Sequence, residues 1–357
     1  MKDFTTPASQ SSPPPLTVGN EQTSKVPARR SGRAASLLSV LGTYGLPILT
    51  VLLIVLFSFL LPNTFPTQLT LDSILGTTSI VALLALAEMI ISAIGQIDLS
   101  VGYGIGITHI LAIGLLTRSH LPWGLVVLLV LVAGVLIGLT NGLLVQVVKI
   151  DSFIATLGVG TVIYGLANWY TNGQQIVGTL PDGFIAISNT TFLGIPLPAY
   201  YVAIIAIVLW IAFEFLPVGR YLYALGSNAR AAELSGIPRP RYIIGAFIAG
   251  GILIAFAGIV LASRIQVGQS NVGPDYLLPS IVGALLGATT IRPGRVNVWG
   301  TIIAVLLLAI GVAGIEQFGA AFFVDSLFNG LTLIIAVGLA GYASRRRLQA
   351  RVKEGRS

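Results

Sequence analysis

Residues 95–102 read GQIDLSVG and follow directly on TTSIVALLALAEMIISAI (77–94), a run apolar enough to lie in a bilayer. Gln96, Asp98 and Ser100 place an amide, a carboxylate and a hydroxyl at the end of that run. An ionisable residue at such depth is a functional-site hypothesis, because it is costly unless it faces protein, water or cargo. Two uses fit these residue types. Asp98, helped by Ser100, is suited to cap a helix that begins near residue 100, since Asp and Ser accept bonds from a helix's first N–H groups. Direct contact with a polar cargo is the alternative. Gly95 and Gly102 flank the group and point to a broken helix, which is tolerated at depth where backbone lines a cavity or packs in protein. Glu88, ten residues earlier, is a second buried-carboxylate candidate for pairing with an amide or hydroxyl. Thr156, Asn141 and Asn329 are uncharged groups that either bond helices together or touch a hydroxylated solute.

The elements that must position these residues are membrane helices. The chain has 357 residues, 55% hydrophobic and 9% charged, against about 25% charged in an ordinary soluble domain. With no Cys there is no disulfide, thiol chemistry or cysteine metal ligand, and two His residues form no metal cluster. A span needs about 20 apolar residues. Ten stretches qualify: roughly 43–62, 74–94, 100–117, 122–147, 153–171, 198–216, 242–263, 277–291, 296–315 and 325–344. The third and eighth are Gly-rich, and the eighth is short. Gly102, Gly104, Gly106, Gly250, Gly251, Gly283 and Gly287 mark faces where helices approach closely. The fold expected is an all-α polytopic membrane protein.

Topology follows from charge. With the N-terminus cytoplasmic and ten alternating spans, every one of the 20 Lys and Arg except Arg118 and Arg264 falls inside. The positive-inside rule therefore places both ends in the cytoplasm, and it accounts for the net charge of +7 without nucleic acid. Residues 1–37, rich in Ser, Thr and Pro, read as a disordered tail. Residues 38–344 form the membrane domain, and 345–357 a basic tail. The long segment 171–198 contains no Lys or Arg and is either a connector or a docking place for an extracytoplasmic partner.

Between spans six and seven lies GRYLYALGSNARAAELSGIPRPRY (219–242). It encodes a short helix, Ala229 to Leu234, with Asn228 or Ser227 as cap and Gly236 then Pro238 as stop. Arg230 and Glu233 can pair on one face, and Ala231 with Ala232 leaves a small-residue surface. A helix held between Gly226 and Gly236 suits docking to a cytoplasmic protein; an amphipathic connector on the membrane is the plainer reading. No Gly-Lys pair exists, so the chain lacks a P-loop.

Four stretches together resemble a known family, the permeases of bacterial ABC importers for ribose, xylose and arabinose. GQIDLSVG resembles that family's GGIDLSVG. KIDSFIATLG (149–158) is similar to K-x-P-P-F-I-x-T-L-G. GRYLYALGSNARAAELSGI resembles the coupling segment G-R-x-x-x-A-x-G-x-N-x-x-A-A-x-x-S-G-I. VGALLGATTIRPGRVNVWGT (282–301) is similar to I-G-G-T-S-x-x-G-G-x-G-x-x-x-G-T. Together they extend from about residue 44 to 344. Departures are Gln96 for Gly, Asp151-Ser152 for Pro-Pro, Ala288 and Thr290 for Gly and Ser, and Arg292-Pro293 in a Gly-rich position. The resemblance implies a non-enzymatic permease of the bacterial cytoplasmic membrane with no cofactor of its own. A partner ATPase would hydrolyse ATP, a substrate-binding protein would deliver a sugar, and a second permease copy or a related permease would complete the pathway. On this resemblance Gly226, Asn228, Arg230, Glu233, Ser235 and Gly236 form the ATPase-coupling segment. Gln96, Asp98, Ser100, Asn141 and Thr156 belong to the pathway or the caps of its helices. Branched-chain amino acids or nucleosides are alternative cargoes, and an ion-coupled carrier using Glu88 and Asp98 is a third reading.

Overall fold

The computed structural model describes residues 33–319, 327, 328, 330–332 and 334. Asn329, most of the tenth expected span and the tail 345–357 lie outside the described residues, as do residues 1–32.

Long apolar runs bounded by Pro, Gly or a cap become helices. They are α1 (Arg33–Leu60), α2 (Gln68–Ala93), α3 (Val101–Thr117), α4 (Trp123–Leu143) continued by a π turn (Leu144–Val148), and α5 (Ser152–Thr171). Then follow α6 (Asp182–Asn189), a small hairpin of β1 (Thr191–Phe192) and β2 (Ile195–Pro196), α7 (Leu197–Glu214), α8 (Pro217–Ser227) and α9 (Ala229–Leu234). The series ends with α10 (Arg239–Ile265), a 3₁₀ turn (Gly273–Tyr276), α11 (Leu277–Gly287) and α12 (Val298–Gln317). α1 begins at Arg33, inside the segment 1–37 read as a tail.

Among the described residues, seven helices are long and apolar enough to cross a membrane: α1, α2, α4 with its π turn, α5, α7, α10 and α12. The third expected span is a helix of 17 residues. The eighth differs from expectation. Instead of a helix over 277–291 there is an 11-residue helix, about 16 Å long, entered through an irregular segment and the 3₁₀ turn. The helix starts at Leu277 as expected and stops at Gly287, because the chain beyond it turns: Ile291 takes a left-handed φ of 59°, and Pro293 lacks the N–H that a helix interior needs.

The interior is built around α2 and α10, whose most apolar windows are 78% and 61% buried, while α1 is peripheral at 11%. α4 and α10 approach at backbone distance. A Cβ added at Gly134 or Gly138 would strike the carbonyls of Gly251 or Phe247, and one at Gly142 would meet Ile244 Cα at 2.9 Å. In lipid such small-residue contacts replace the hydrophobic drive that is missing between helices.

Contacts between element ends sort the molecule into two faces. On one, Ile291 N–H donates to the Thr43 carbonyl (2.8 Å), and Glu214 meets Arg292 and Arg295. On the other, Arg118 donates to the Tyr170 carbonyl (2.8 Å), Gln68 to the Gly194 carbonyl (2.5 Å), and Ile176 pairs with Gly268. Arg220, Arg230, Arg239, Arg241, Arg292 and Arg295 belong to the first, basic face; Arg118 and Arg264 belong to the second. The segment 172–196 is folded on that second face. Ser188 N–H and the Asn189 amide donate to Ser263 Oγ (3.0 Å) and the Ser263 carbonyl (2.9 Å), and Phe184 is fully buried.

Candidate functional site

α2 ends at Ala93, and Gly95 takes a left-handed φ of 72° that turns the chain sharply into residues 96–100. This turn is held by side chains from three helices. Asp98 N–H donates to both Glu88 carboxylate oxygens at 3.3 Å. Leu99 N–H donates to Thr156 Oγ1 (2.9 Å), and Ile97 N–H to Ser152 Oγ (3.3 Å). Asp98 Oδ1 accepts from Ser100 N–H (2.8 Å) and Ser100 Oγ (2.5 Å). The Asn141 amide completes the knot by donating to Ser100 Oγ at 2.7 Å.

Exposure decides what this knot can do. Glu88, Asp98, Ser100, Asn141 and Thr156 are each no more than 1% exposed. They meet each other, not solvent. Their role in this conformation is to satisfy the backbone of an irregular turn inside a bundle, where unpaired N–H groups are costly. Asp98 does so two positions before the helix cap. It closes the turn onto Ser100, the N-cap residue of α3, and α3 itself has no side-chain cap. Gln96 is half-buried beside the knot and supplies none of these bonds. Asp151 does cap α5, accepting from Phe153 N–H at 3.0 Å.

The segment after α7 folds as its sequence predicts. Asn228 caps α9 by accepting from Ala231 N–H at 3.0 Å. At the other end Gly236 N–H bonds the Glu233 carbonyl (2.9 Å) and Ile237 N–H the Ala232 carbonyl (3.1 Å). That pair of bonds is a Schellman close, and it requires the left-handed φ of 85° that Gly236 adopts. Ser235 Oγ donates back to the Ala231 carbonyl (2.9 Å). Glu233 lies 3.7 Å from both Arg230 and Arg239. Arg230 and Leu234 are largely exposed, while Ala232 is buried. A two-turn helix thus stands on the basic face with its outer side uncovered.

The two constellations touch. A Cβ at Gly226, on α8, would strike the Ala93 carbonyl and lie 3.0 Å from Gly95 N. One at Gly95 would lie 3.2 Å from the Gly226 carbonyl. The helix pair α8–α9 therefore rests backbone to backbone on the turn that the buried knot holds. No side chain lies between the two backbones at this joint.

A second attachment escaped the sequence reading. Glu214, at the end of α7, pairs with Arg292 and with Arg295 (3.1 Å). The Arg295 guanidinium also sits 4.1 Å over the Tyr223 ring, and Tyr223 Oη donates to the Val296 carbonyl at 2.9 Å. Burial, the largest cause, raises the Tyr223 hydroxyl above its ordinary value, so it stays a donor at neutral pH. Asn297 ties the same loop, donating to the Gly287 and Thr290 carbonyls (3.0 Å each) while capping α12 through Gly300 N–H (2.8 Å). Arg292 and Arg295 thus join the α11–α12 loop to α7 and α8. The only hint in the sequence was Arg292-Pro293 where the resembled family is Gly-rich.

A bundle of apolar helices, a sealed polar knot and an exposed short helix on the basic face define a multi-pass membrane transport protein. The comparisons agree. The family described as "Branched-chain amino acid transport system / permease component" matches residues 70–337. The chain belongs to that family, the permeases of ABC importers. It is 32% identical to the ribose import permease of Haemophilus influenzae over 301 residues, 84% of this chain and 93% of that protein. With the ribose import permease of Bacillus subtilis it shares 33% over 292 residues, 82% and 90% of the two chains. An autoinducer 2 import permease from Klebsiella pneumoniae is 32% identical over 287 residues, 76% of this chain and 84% of that one. No solved structure matches it.

Proposed function

We propose that this chain is the membrane subunit of an ATP-driven importer in the bacterial cytoplasmic membrane, moving a neutral monosaccharide. The observation that carries the reading is the backbone joint between Gly226 and Gly95, within a member of a permease family. A chain without a P-loop needs an external motor, and α8–α9 offers such a motor a rigid handle on the basic face. Gly226, Asn228, Arg230, Glu233, Ser235 and Gly236 build that handle. Both chain ends lie on the same cytoplasmic side in this reading, with the tenth span over 325–344. A substrate-binding protein would dock on the opposite face, where α6 and the β1–β2 hairpin stand proud. The similarity to ribose permeases supports a sugar as cargo.

A second copy is supported by α5, the least hydrophobic of the seven long helices, with a mean hydropathy of 1.2 against at least 2.0 for the others. Leu157, Thr161, Tyr164 and Asn168 form one stripe along it, with Gly158 and Gly165 beside them and nothing within 4 Å of either glycine's Cβ position. Polar and small residues on an unpartnered helix face suit a protein partner or a wet pathway, not lipid.

The test is purification of the tagged chain in mild detergent, identification of co-purifying proteins by mass, and uptake by the reconstituted complex of radiolabelled monosaccharides and L-leucine. An ATPase at one-to-one ratio and ATP-dependent sugar uptake support the reading. Isolation of the chain alone, moving solute in ATP-free liposomes under an ion gradient, overturns it.

A further inference from the structure

The segment between α10 and α11 does not stay on the second face. Gly268 packs on Ile113, near the outer end of α3, and Gly273 packs on Gly106, where an added Cβ would stand 3.1 Å from Gly106 Cα. Seven residues of helix separate those two positions, about 10 Å of descent. His109 guides the entry: its Nε2 lies 3.1 Å from the Val267 carbonyl and 3.2 Å from Gln269 N. From the 3₁₀ turn, α11 continues to the basic face, where Gly287 packs on Gly300 and Thr301. Residues 266–276 therefore carry irregular backbone into the bundle. Such backbone exists at depth only where it is covered by protein or lines a water-filled cavity.

Part of it is not covered. Asn271 and Asp275 are exposed and Tyr276 is half-buried. Asp275 and Tyr276 line a cavity of about 670 Å³ whose other walls include Thr77 and Thr78 of α2 and Leu308 of α12. Arg264 reaches the same wall, its Nη2 3.4 Å from Thr77 Oγ1, and both Arg264 and Asp275 act electrostatically on Tyr276. A carboxylate exposed at this depth is costly against lipid and suits a place where it meets water or other polar groups. The polar groups of the lining are Asp275, Tyr276, Thr77 and Thr78, set among apolar side chains such as Val81 and Val305, with Arg264 at the edge on Thr77.

We propose that the turn Gly273–Tyr276 and the cavity beside it form a water-filled contact for the travelling solute. There Asp275 and Tyr276, with Thr77 and Arg264, hydrogen-bond the hydroxyls of a neutral polyol. This deepens the importer reading and rests on it for the class of solute.

The chain has no cysteine, so single-cysteine variants report directly. In membranes holding the assembled complex, Asp275→Cys and Asn271→Cys are treated from the outer face with a charged, membrane-impermeant methanethiosulfonate. Val132→Cys, at an apolar residue of α4 that is 45% exposed, is the control. Modification of Asp275→Cys at least tenfold faster than the control is expected; equal rates overturn the proposal. In the reconstituted complex Asp275→Asn and Tyr276→Phe should each cut D-ribose uptake about tenfold, with the co-purifying ATPase retained. Unchanged uptake overturns the solute contact, and a selective effect on L-leucine uptake would replace the polyol by a zwitterion. Failure of the importer reading shows separately, as an unmodified complex that takes up no sugar, and it removes the solute class proposed here.

Discussion

Asp98 is surrounded by donors, and that environment decides how it will respond to substitution. Its Oδ1 serves Ser100 N–H and Ser100 Oγ, and its own N–H is taken by Glu88. Asp98→Asn keeps an acceptor at that point. Asp98→Leu leaves a buried N–H and a buried hydroxyl without one, at about 1–3 kcal/mol for each group. The expected result is a markedly lower thermal midpoint in detergent for Asp98→Leu and a small change for Asp98→Asn. Equal losses would mean that the charge matters, not the hydrogen bonds. Reading the residues alone brought Glu88, Asp98, Ser100, Asn141 and Thr156 forward singly, because each is a polar group in an apolar run. That they form one knot was not legible, since 43 residues of chain separate Asn141 from Asp98.

At the scale of elements, α8 and α9 behave as one lever resting on the Gly95 turn. Gly226→Ala would push its Cβ into the Ala93 carbonyl, which is backbone and cannot rotate away. The expected phenotype is uncoupling: ATP hydrolysis by the co-purified ATPase persists while solute uptake falls at least tenfold. Uptake at the wild-type rate would remove the joint from the mechanism. Replacing Arg230 and Glu233 together by Ala tests the outer side of the lever. Arg230 is largely exposed and Glu233, half-buried, is held by ion pairs of 3.7 Å; such pairs near the surface contribute about 0–1 kcal/mol, so membrane insertion should hold and the thermal midpoint change little while uptake drops. Glu214 is the second anchor. Glu214→Gln weakens the hold on Arg292 and Arg295 together, and amide exchange in the loop 288–297 should accelerate; unchanged protection there would show that the bonds of Asn297, Tyr223 and Thr43 hold it without the ion pairs.

For the whole molecule, the exposed stripe of α5 predicts a partner of the same chain. Gly165→Cys in the otherwise cysteine-free protein should be joined by a short bis-maleimide into a species of twice 37.4 kDa. A chain that remains single under these conditions would place α5 against lipid and leave its polar stripe without an occupant. The alternation of basic and non-basic connections, read from charge alone, corresponds to the two faces that the contacts between helix ends define.

Composition and hydropathy were enough for the fold class, because lipid demands long apolar helices and leaves that demand in the sequence. The short helix from Ala229 to Leu234 was equally legible, since Asn at its start and Gly at its end act locally on neighbouring backbone. The eighth span was not. Its apolar run looks like a short crossing helix, and only packing against Gly102 and Gly106 reveals that residues 266–276 run down inside the bundle as irregular chain. The Gly226–Gly95 joint and the Glu214 pairs were likewise hidden. Contacts between residues 80 to 130 positions apart depend on how the helices assemble, and one-dimensional pattern carries no record of that.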